Sequence, residues 1–184
     1  MATTILVDQD NTLTDFTEVT VRYLSKLYGY KESFTPDQCK TYNILKCMFP
    51  KLPDKKISDM FEELFSSEGY WRSMLPMPGS IEVMEDLYKE YDVYIVTSPW
   101  KTSKNCIPEK IEWVEHYLPF FDISKMIFCS YKHLLHADYM IDDSPVYLAN
   151  SNCETTIAFK FPYNENVEAT FKVDTWSEIR EILL

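Results

Sequence analysis

The sequence predicts an α/β protein: a Rossmann-like sheet of parallel strands with a small helical cap inserted after the first strand. Short apolar runs alternate with longer segments in which apolar residues recur at helical spacing. Because strands and helices alternate, the strands are expected to run parallel and to be joined by right-handed crossovers. The stretch between the first and second runs carries no strand pattern, so we expect it to form the cap.

The first strand is predicted at Thr4–Val7, and two carboxylates, Asp8 and Asp10, follow it directly. A short aliphatic run before the turn-prone Asn11 is typical of a strand that is buried on both faces. Ligands bind beyond the carboxyl ends of such strands, and Asp8 and Asp10 are expected to point the same way. Carboxylates this close repel unless a cation lies between them or they share a proton, and Mg²⁺ suits hard oxygen ligands.

The cap is predicted over residues 16–75, which leaves a core of residues 1–15 and 76–184. Apolar spacing indicates two cap helices and Thr35–Gln38 is typical of the start of another, with Thr35 as N-cap and a proline in the first turn. The two helices are expected over Phe16–Leu27, with Gly29 as a plausible stop, and over Asp54–Ser67.

After the cap, a Pro-Met-Pro-Gly-Ser turn marks the return of the chain to the core. Uninterrupted β-branched and aromatic runs predict strands there, and helical spacing predicts helices. The predicted strands are Val93–Val96, Met126–Cys129, Tyr139–Ile141 and Thr155–Phe161, and the predicted helices are Ser80–Tyr88, Pro108–Leu118 and Trp176–Leu184.

Side chains capable of phosphate chemistry follow three of these strands. They are Asp8 and Asp10 after the first strand, Thr97 and Ser98 after the second, and Asp142 and Asp143 after the fourth; Lys110 lies near the start of a helix. If these segments meet at one edge, carboxylates, hydroxyls and an ammonium group surround a single point, which suits phosphoryl transfer. Each group alone could be an ordinary turn or a solvated side chain. Their joint order favours a site.

This order of motifs resembles the haloacid dehalogenase-like (HAD) phosphatases, and within them the 5'(3')-deoxyribonucleotidases. The resemblance covers most of the chain but fades in the middle of the cap. The segments that carry it are Val7–Phe16, Pro76–Gly79, Val96–Pro99, Pro108–Glu115 and Ile141–Asp143.

The resemblance implies roles for the charged residues. Asp8 would be the nucleophile that forms an aspartyl-phosphate, and Asp10 would act as acid and then as base. Lys110 would neutralise the nucleophile and the phosphate together. Mg²⁺ would be held by Asp8, by the main-chain carbonyl of Asp10 and by a carboxylate of the pair Asp142 and Asp143, with Asp143 favoured.

The resemblance also implies residues that bind the substrate. Hydroxyls at the second strand tip would hold the phosphate, and aromatic side chains from the cap and the first helix would enclose the base. Core packing is the alternative explanation for the aromatic residues. The candidates are Thr97, Ser98, Phe16, Tyr42, Phe65 and, in the loop after the second strand, Lys101.

Two positions depart from the family pattern. Asn11 stands where the family usually has glycine; asparagine tolerates a left-handed backbone, so we expect the turn to survive. Ser144 stands where relatives often carry a charged residue, which leaves the affinity for phosphate open. The neighbours Tyr70 and Trp71 are interpreted as hinge packing and not as a ligand shelf.

Composition limits the partners. The net charge of -11 argues against a nucleic acid polymer or an anionic membrane, but not against a small phosphorylated substrate in a pocket with its own cation. Five scattered cysteines with no Cys-x-x-Cys pair suit reduced thiols, and no secretory signal pattern is present, so a cytoplasmic protein is expected. The expected partner is a nucleoside monophosphate, and the resemblance allows a homodimer.

Three other readings remain. A HAD phosphatase for another small metabolite shares all of the chemistry, because the cap sets the substrate. A signalling receiver domain would place its phosphoacceptor on a later strand, whereas the third strand here ends in Phe128-Cys129-Ser130. A catalytically inactive binding protein would not need the complete set of acids.

Overall fold

The computed structural model describes residues 2–28 and 34–184. Six parallel strands form one sheet in the order β3-β2-β1-β4-β5-β6. The predicted parallel α/β sheet is therefore confirmed. The strands are β1 (Thr4–Val7), β2 (Asp92–Thr97), β3 (Met126–Phe128), β4 (Tyr139–Asp142), β5 (Thr155–Phe159) and β6 (Phe171–Val173).

Helices connect the strands and form the segment between β1 and β2. They are α1 (Phe16–Tyr28), α2 (Ile44–Met48), α3 (Asp54–Phe65), α4 (Ser80–Glu90), α5 (Cys106–Tyr117), α6 (Pro145–Ala149) and α7 (Trp176–Leu183). A capping box formed by Thr175 and Glu178 starts α7. Gly29, the stop expected for α1, lies outside the described residues.

Two predictions need correction. Thr35–Gln38 does not start an α-helix: residues Pro36–Gln38 form one 3₁₀ turn, and the next helix begins at Ile44. Asp37 and Gln38 are exposed, so no apolar face would stabilise a longer helix there, whereas α2 buries three of its five residues and is capped by Asn43. Strand β6 was not predicted, because it is three residues long and two of them are exposed.

The chain leaves and re-enters the sheet layer through one pair of neighbouring segments. Thr14 forms an antiparallel bridge with Pro76, and the main-chain N–H of Met77 donates to the carbonyl of Leu13 at 2.8 Å. This contact brings both connections of the helical segment together above β1. The division into a core (residues 1–15 and 76–184) and a cap (residues 16–75) stays a prediction, and this contact is consistent with it.

Candidate active site

The carboxyl ends of β1, β2 and β4 lie side by side, because β1 is between the other two strands. Asp8 directly follows β1, Thr97 ends β2 and Asp142 ends β4. The main-chain N–H of Asp8 donates to the carbonyl of Ile141 at 2.9 Å, so strand pairing reaches the first carboxylate. The strand tips that the sequence suggested would meet do lie together.

The turn after β1 keeps the shape expected for this motif. Asn11 has φ +56°, the left-handed conformation, and it is the one described residue other than glycine with a positive φ. Its side-chain oxygen accepts a hydrogen bond from the main-chain N–H of Thr17 at 2.9 Å, which ties the turn to the start of α1. The expectation that asparagine would preserve this turn is confirmed.

A lysine that the sequence analysis missed lies at the centre of the acidic groups. Lys132 comes from the 3₁₀ turn Lys132–Leu134 after β3 and is almost completely buried. Its ammonium nitrogen lies 2.5 Å from a carboxylate oxygen of Asp8 and 2.6 Å from one of Asp142. The ammonium also lies 4.7 Å from the centre of the Tyr147 ring. Lys132 thus fixes the orientation of the candidate nucleophile.

Lys110, predicted to neutralise the nucleophile and the phosphate, contacts Asp10 and Thr97, and the ammonium group beside Asp8 is that of Lys132. The ammonium nitrogen of Lys110 lies 2.7 Å from both carboxylate oxygens of Asp10 and 2.9 Å from the hydroxyl of Thr97. Lys110 is buried, and its charge lies 4.9 Å from the centre of the Trp71 ring. The hydroxyl of Ser98 shares a hydrogen bond with that of Ser130 at 2.9 Å. Lys110 therefore bonds to the turn after β1 and to the end of β2, and its charge lies beside the Trp71 ring.

Burial and mutual repulsion change the acidity of the carboxyl groups. Burial raises the pKa of Asp142 to about 7, although Lys132 opposes the shift. Burial, with the nearby charges of Asp142 and Asp8, raises the pKa of Asp143 well above its usual range. Burial also raises the pKa of Asp10, with Lys110 opposing it. For Lys132, burial acts to lower the pKa, but the two carboxylates outweigh it and raise that pKa.

The acidic cluster is suited to a divalent cation. Asp8, Asp142 and Asp143 each place one carboxylate oxygen within 4.8 Å of the others. With Asp10 the site has four carboxyl groups against two ammonium groups, so full ionisation leaves an excess of two negative charges. Buried like charges of this kind are stabilised by protonation or by a metal ion. The donor set is all oxygen, which Mg²⁺ prefers.

A cavity of about 540 Å³ opens above these residues. Its lining includes a charged floor, which consists of Asp8, Asp10, Ser98 and Asp143, and an aromatic wall, which consists of Phe16, Phe61, Phe65, Trp71 and Trp100. Phe65 is central to that wall: its ring centre lies 4.8 Å from that of Trp100 and 5.1 Å from that of Trp71. The charged floor and the aromatic wall face one space, large enough for a small-molecule ligand.

The predicted substrate-binding residues do not all reach this cavity. Phe16, Tyr42 and Phe65 line it, with Tyr42 at the rim because 60% of its surface is exposed. Thr97 and the Lys110 that bonds to its hydroxyl are buried and do not line the cavity; Lys110 reaches it only through Asp10, which does. Lys101 is exposed and does not line the cavity; its ammonium lies 5.5 Å from the ring centre of Tyr131.

Helix α5 anchors the second connection of the cap. The buried carboxylate of Glu109 accepts main-chain N–H bonds from Gly69 at 2.6 Å and Trp71 at 2.9 Å, and a longer one of 3.4 Å from Arg72. The indole N–H of Trp113 donates to the carbonyl of Met74 at 2.8 Å. The segment between the cap and the core is therefore held by the same helix that carries Lys110.

Tyr70 and Trp71 divide between two roles. Tyr70 is fully buried and its hydroxyl shares a 2.6 Å hydrogen bond with that of Thr20, as expected for hinge packing. Trp71 also lines the cavity, which the sequence analysis did not predict. Trp100 and Tyr163 also line the cavity and were not predicted from the sequence. The available signal was position: Lys132, Trp100 and Tyr163 all lie in loops that follow strands of the parallel sheet.

Comparison with known structures places the fold. A haloacid dehalogenase-like hydrolase of Streptococcus pneumoniae, SP0104, aligns over 100% of this chain and 99% of its own, with a TM-score of 0.65 and 16% identity. The HAD hydrolase YfnB of Bacillus subtilis, solved with magnesium bound, aligns over 99% of this chain and 98% of its own, with a TM-score of 0.59 and 16% identity. The fold is that of the HAD hydrolases.

Sequence comparison identifies the family. The sequence profile of the family described as 5' nucleotidase, deoxy (pyrimidine), cytosolic type C protein matches residues 2–184. The 5'(3')-deoxyribonucleotidase of Bacillus subtilis is 29% identical over 184 residues, which is the full length of both chains. This chain belongs to that family, and is thus a phosphoric monoester hydrolase of the nucleotidase type. Among its described residues, no helix is long and apolar enough to cross a membrane.

Proposed function

We propose that this protein is a Mg²⁺-dependent 5'(3')-deoxyribonucleotidase that hydrolyses nucleoside monophosphates through an aspartyl-phosphate. One observation carries the proposal: Asp8, held by the buried Lys132, lines the same cavity as a cluster of aromatic side chains. A phosphate ester with a flat base matches both surfaces.

The cation site is proposed from its donor set. Asp8 and Asp143 would hold Mg²⁺ through carboxylate oxygens, together with the main-chain carbonyl of Asp10. When bound there, Mg²⁺ neutralises phosphate oxygens as a Lewis acid. The carboxylate of Asp142 accepts hydrogen bonds from the Lys132 ammonium at 2.6 Å and from the main-chain N–H of Ser144 at 2.8 Å. Because both of its oxygens are thereby occupied, we propose that Asp142 supports the site and does not contact the metal directly.

In the first step we propose that a carboxylate oxygen of Asp8 attacks phosphorus and the bond to the nucleoside oxygen breaks. We propose that the Asp10 carboxyl enters this step protonated and gives its proton to that oxygen; burial raises its pKa, and the Lys110 ammonium opposes that shift. In the second step the Asp10 carboxylate takes a proton from water, which attacks phosphorus. The bond between phosphorus and the Asp8 oxygen breaks, so inorganic phosphate leaves, Asp8 is again a carboxylate and Asp10 is again protonated.

The remaining residues position these groups. Lys132 holds Asp8 in one rotamer for attack, and Lys110 holds Asp10 and the Thr97 hydroxyl in one cluster. Ser98 lines the cavity beside the floor and would donate to a phosphate oxygen. Lys101 lies outside the cavity and has no part in the proposed substrate binding.

The aromatic wall would bind the base. Phe16, Phe65 and Trp71 form one cluster, with the rings of Phe16 and Trp71 stacked at 6.1 Å between centres. Trp100 and Phe61 extend the wall. Rings held by one another lose little entropy when a base packs on them. A phosphatase for another small metabolite remains the alternative, because the wall alone does not name a base.

We propose that the protein acts in the cytoplasm. The net charge of -11 and five free cysteines fit the cytoplasm. A homodimer stays a prediction from the family resemblance.

Phosphate release from a panel of monophosphates, with Mg²⁺ and with EDTA, tests the proposal. The panel contains dUMP, dTMP, dGMP, dCMP, UMP, 3'-dUMP and several sugar phosphates. We expect metal-dependent release that favours deoxynucleotides. Release from sugar phosphates alone would replace the substrate class and keep the chemistry. No release from any compound would contradict the enzymatic proposal.

A further inference from the structure

The loop after β5 contacts the candidate metal ligand Asp143 through a side chain with no assigned role. The hydroxyl of Tyr163 donates a hydrogen bond to one carboxylate oxygen of Asp143. The side-chain amide of Asn11 donates in turn to the Tyr163 oxygen at 2.9 Å. A continuous chain of hydrogen bonds therefore runs from the turn after β1, through Tyr163, to the tip of β4.

The tyrosine ring is held by two neighbouring rings. It stacks on Phe161 with 5.2 Å between ring centres and an interplanar angle of 5°, and the Tyr42 ring meets it edge-on at 5.4 Å. The side-chain amide of Asn164 donates to the main-chain carbonyls of Asp143 at 2.7 Å and of Phe159 at 2.8 Å. The same loop thus holds Asp143 by its main chain and by its carboxylate.

The side chain of Asn11 is also held in place. It is buried, its side-chain oxygen accepts the N–H of Thr17, and its amide is thereby oriented with the donor towards Tyr163. A glycine could adopt the same left-handed backbone but has no amide to donate. Asn11 therefore does two things at this position: it forms the turn, and it orients the tyrosine hydroxyl.

We propose that Tyr163, oriented by Asn11, is a positioning residue that sets the carboxylate of Asp143 for the cation. The hydroxyl bonds to one oxygen of that carboxylate, and Asp143 places one carboxylate oxygen within 4.8 Å of ligand oxygens of Asp8 and Asp142. Outer partners of this kind orient metal ligands and tune their affinity. The inference rests on the proposed function in one respect, because it takes Asp143 as a ligand of Mg²⁺.

Calorimetric titration of the metal-free protein with Mg²⁺ tests the inference without any substrate. Tyr163→Phe keeps the ring and its stacking but removes the hydroxyl, and we expect the dissociation constant for Mg²⁺ to rise about 10- to 100-fold. Asn11→Gly allows the same left-handed backbone but removes the donor to Tyr163 and the acceptor for the Thr17 N–H, and a smaller rise is expected. Because Asn11 acts through Tyr163, the double variant should be no weaker than Tyr163→Phe alone.

Tyr91→Phe is the matched control. It also loses a tyrosine hydroxyl bond, to the carbonyl of Leu183, far from the cavity, so its Mg²⁺ affinity should stay within about twofold of wild type. Unchanged affinity in Tyr163→Phe, or additive effects in the double variant, would overturn the inference and leave the proposed function intact. A wild type that binds no Mg²⁺ would overturn both. Mg²⁺ binding without nucleotidase activity would overturn the function alone.

Discussion

The charged floor and the aromatic wall of the cavity are built in different ways. The floor consists of strand tips joined by buried ion pairs, such as that of Lys132 with Asp8 at 2.5 Å. The wall consists of rings packed on rings, such as Phe65 on Trp100 at 4.8 Å between centres. Charges at 2.5 Å tolerate little displacement, whereas ring contacts can be exchanged at modest cost. Chemistry and substrate choice should therefore respond to mutation separately.

One helix connects the two regions. Lys110 on α5 pairs with Asp10 on the floor and lies 4.9 Å from the centre of the Trp71 ring in the wall. The preceding residue, Glu109, holds the main chain of the same tryptophan. Substitutions in the floor, in the wall and on α5 can therefore show how far the two regions are separable.

Asp8→Asn should have the largest effect, because an amide cannot attack phosphorus as a carboxylate does. We expect turnover to fall by at least about 10³-fold, a loss typical of a removed nucleophile. The fold should survive, since the substitution keeps the side-chain shape and removes one of several crowded negative charges. Phosphate release and the melting temperature measure the two effects.

Asp122→Asn is the control for this loss, because its carboxylate caps an exposed 3₁₀ turn away from the cavity. Its turnover should stay within about twofold of wild type. Turnover like that of wild type in Asp8→Asn would rule out the covalent mechanism.

Lys132→Met should impair both chemistry and stability. It leaves the buried carboxylates of Asp8 and Asp142 without their shared cation, and loss of one partner from a buried pair costs about 3–5 kcal/mol. Denaturant unfolding of the metal-free protein measures this loss. Lys125→Met is the comparison, because its ion pair with Asp92 is partly exposed and should contribute no more than about 1 kcal/mol. Equal losses in the two variants would contradict the role of Lys132.

The residues of the floor were largely predictable from the sequence, except for Lys132. Asp8, Thr97 and Asp142 end or follow strands, so the topology of a parallel sheet brings them together whatever lies between them. Lys132 belongs to a 3₁₀ turn with no apolar periodicity, ten positions before Asp142 in the chain. Only the path of the turn after β3 directs its ammonium group inward, and no local pattern specifies that path.

The wall was less predictable because its members come from separate elements. Phe16, Phe65 and Trp100 belong to α1, α3 and the loop after β2, and tertiary packing alone makes them neighbours. The false helix start at Thr35–Gln38 shows the same limit, since a capping pattern without a buried face formed only one 3₁₀ turn.

Phe65→Leu should affect substrate choice and spare the chemistry. The leucine keeps much of the volume but removes a ring that contacts Phe16 and Trp100. We expect KM for a nucleoside monophosphate to rise about 5- to 10-fold, consistent with the loss of one aromatic contact of about 1 kcal/mol or slightly more. Steady-state kinetics with glycerol phosphate, which has no base, should show kcat/KM within twofold of wild type.

Phe121→Leu is the control for this ring, because Phe121 is buried against Tyr88 outside the cavity. Its free energy of unfolding should fall about as much as that of Phe65→Leu, and its KM should not change. A parallel loss of activity on glycerol phosphate in Phe65→Leu would mean that wall and floor are not separable.

Glu109→Gln should have the smallest effect on activity and reveal how the two regions are joined. The carboxylate accepts three main-chain N–H groups on two oxygens, whereas an amide has one oxygen and turns an NH₂ group towards a donor. Loss of hydrogen bonds to a charged acceptor costs about 1.5–3 kcal/mol, so we expect the melting temperature to fall by about 3–12 °C. KM should rise more than kcat falls, because Trp71 shifts in the wall while the strand tips stay in place.

Glu112→Gln is the control, because Glu112 lies on the same helix but pairs with the half-exposed Arg72 side chain. It should change the free energy of unfolding by less than about 1 kcal/mol. If kcat fell in Glu109→Gln while KM did not change, α5 would act on the floor through Lys110 and not on the wall through Trp71.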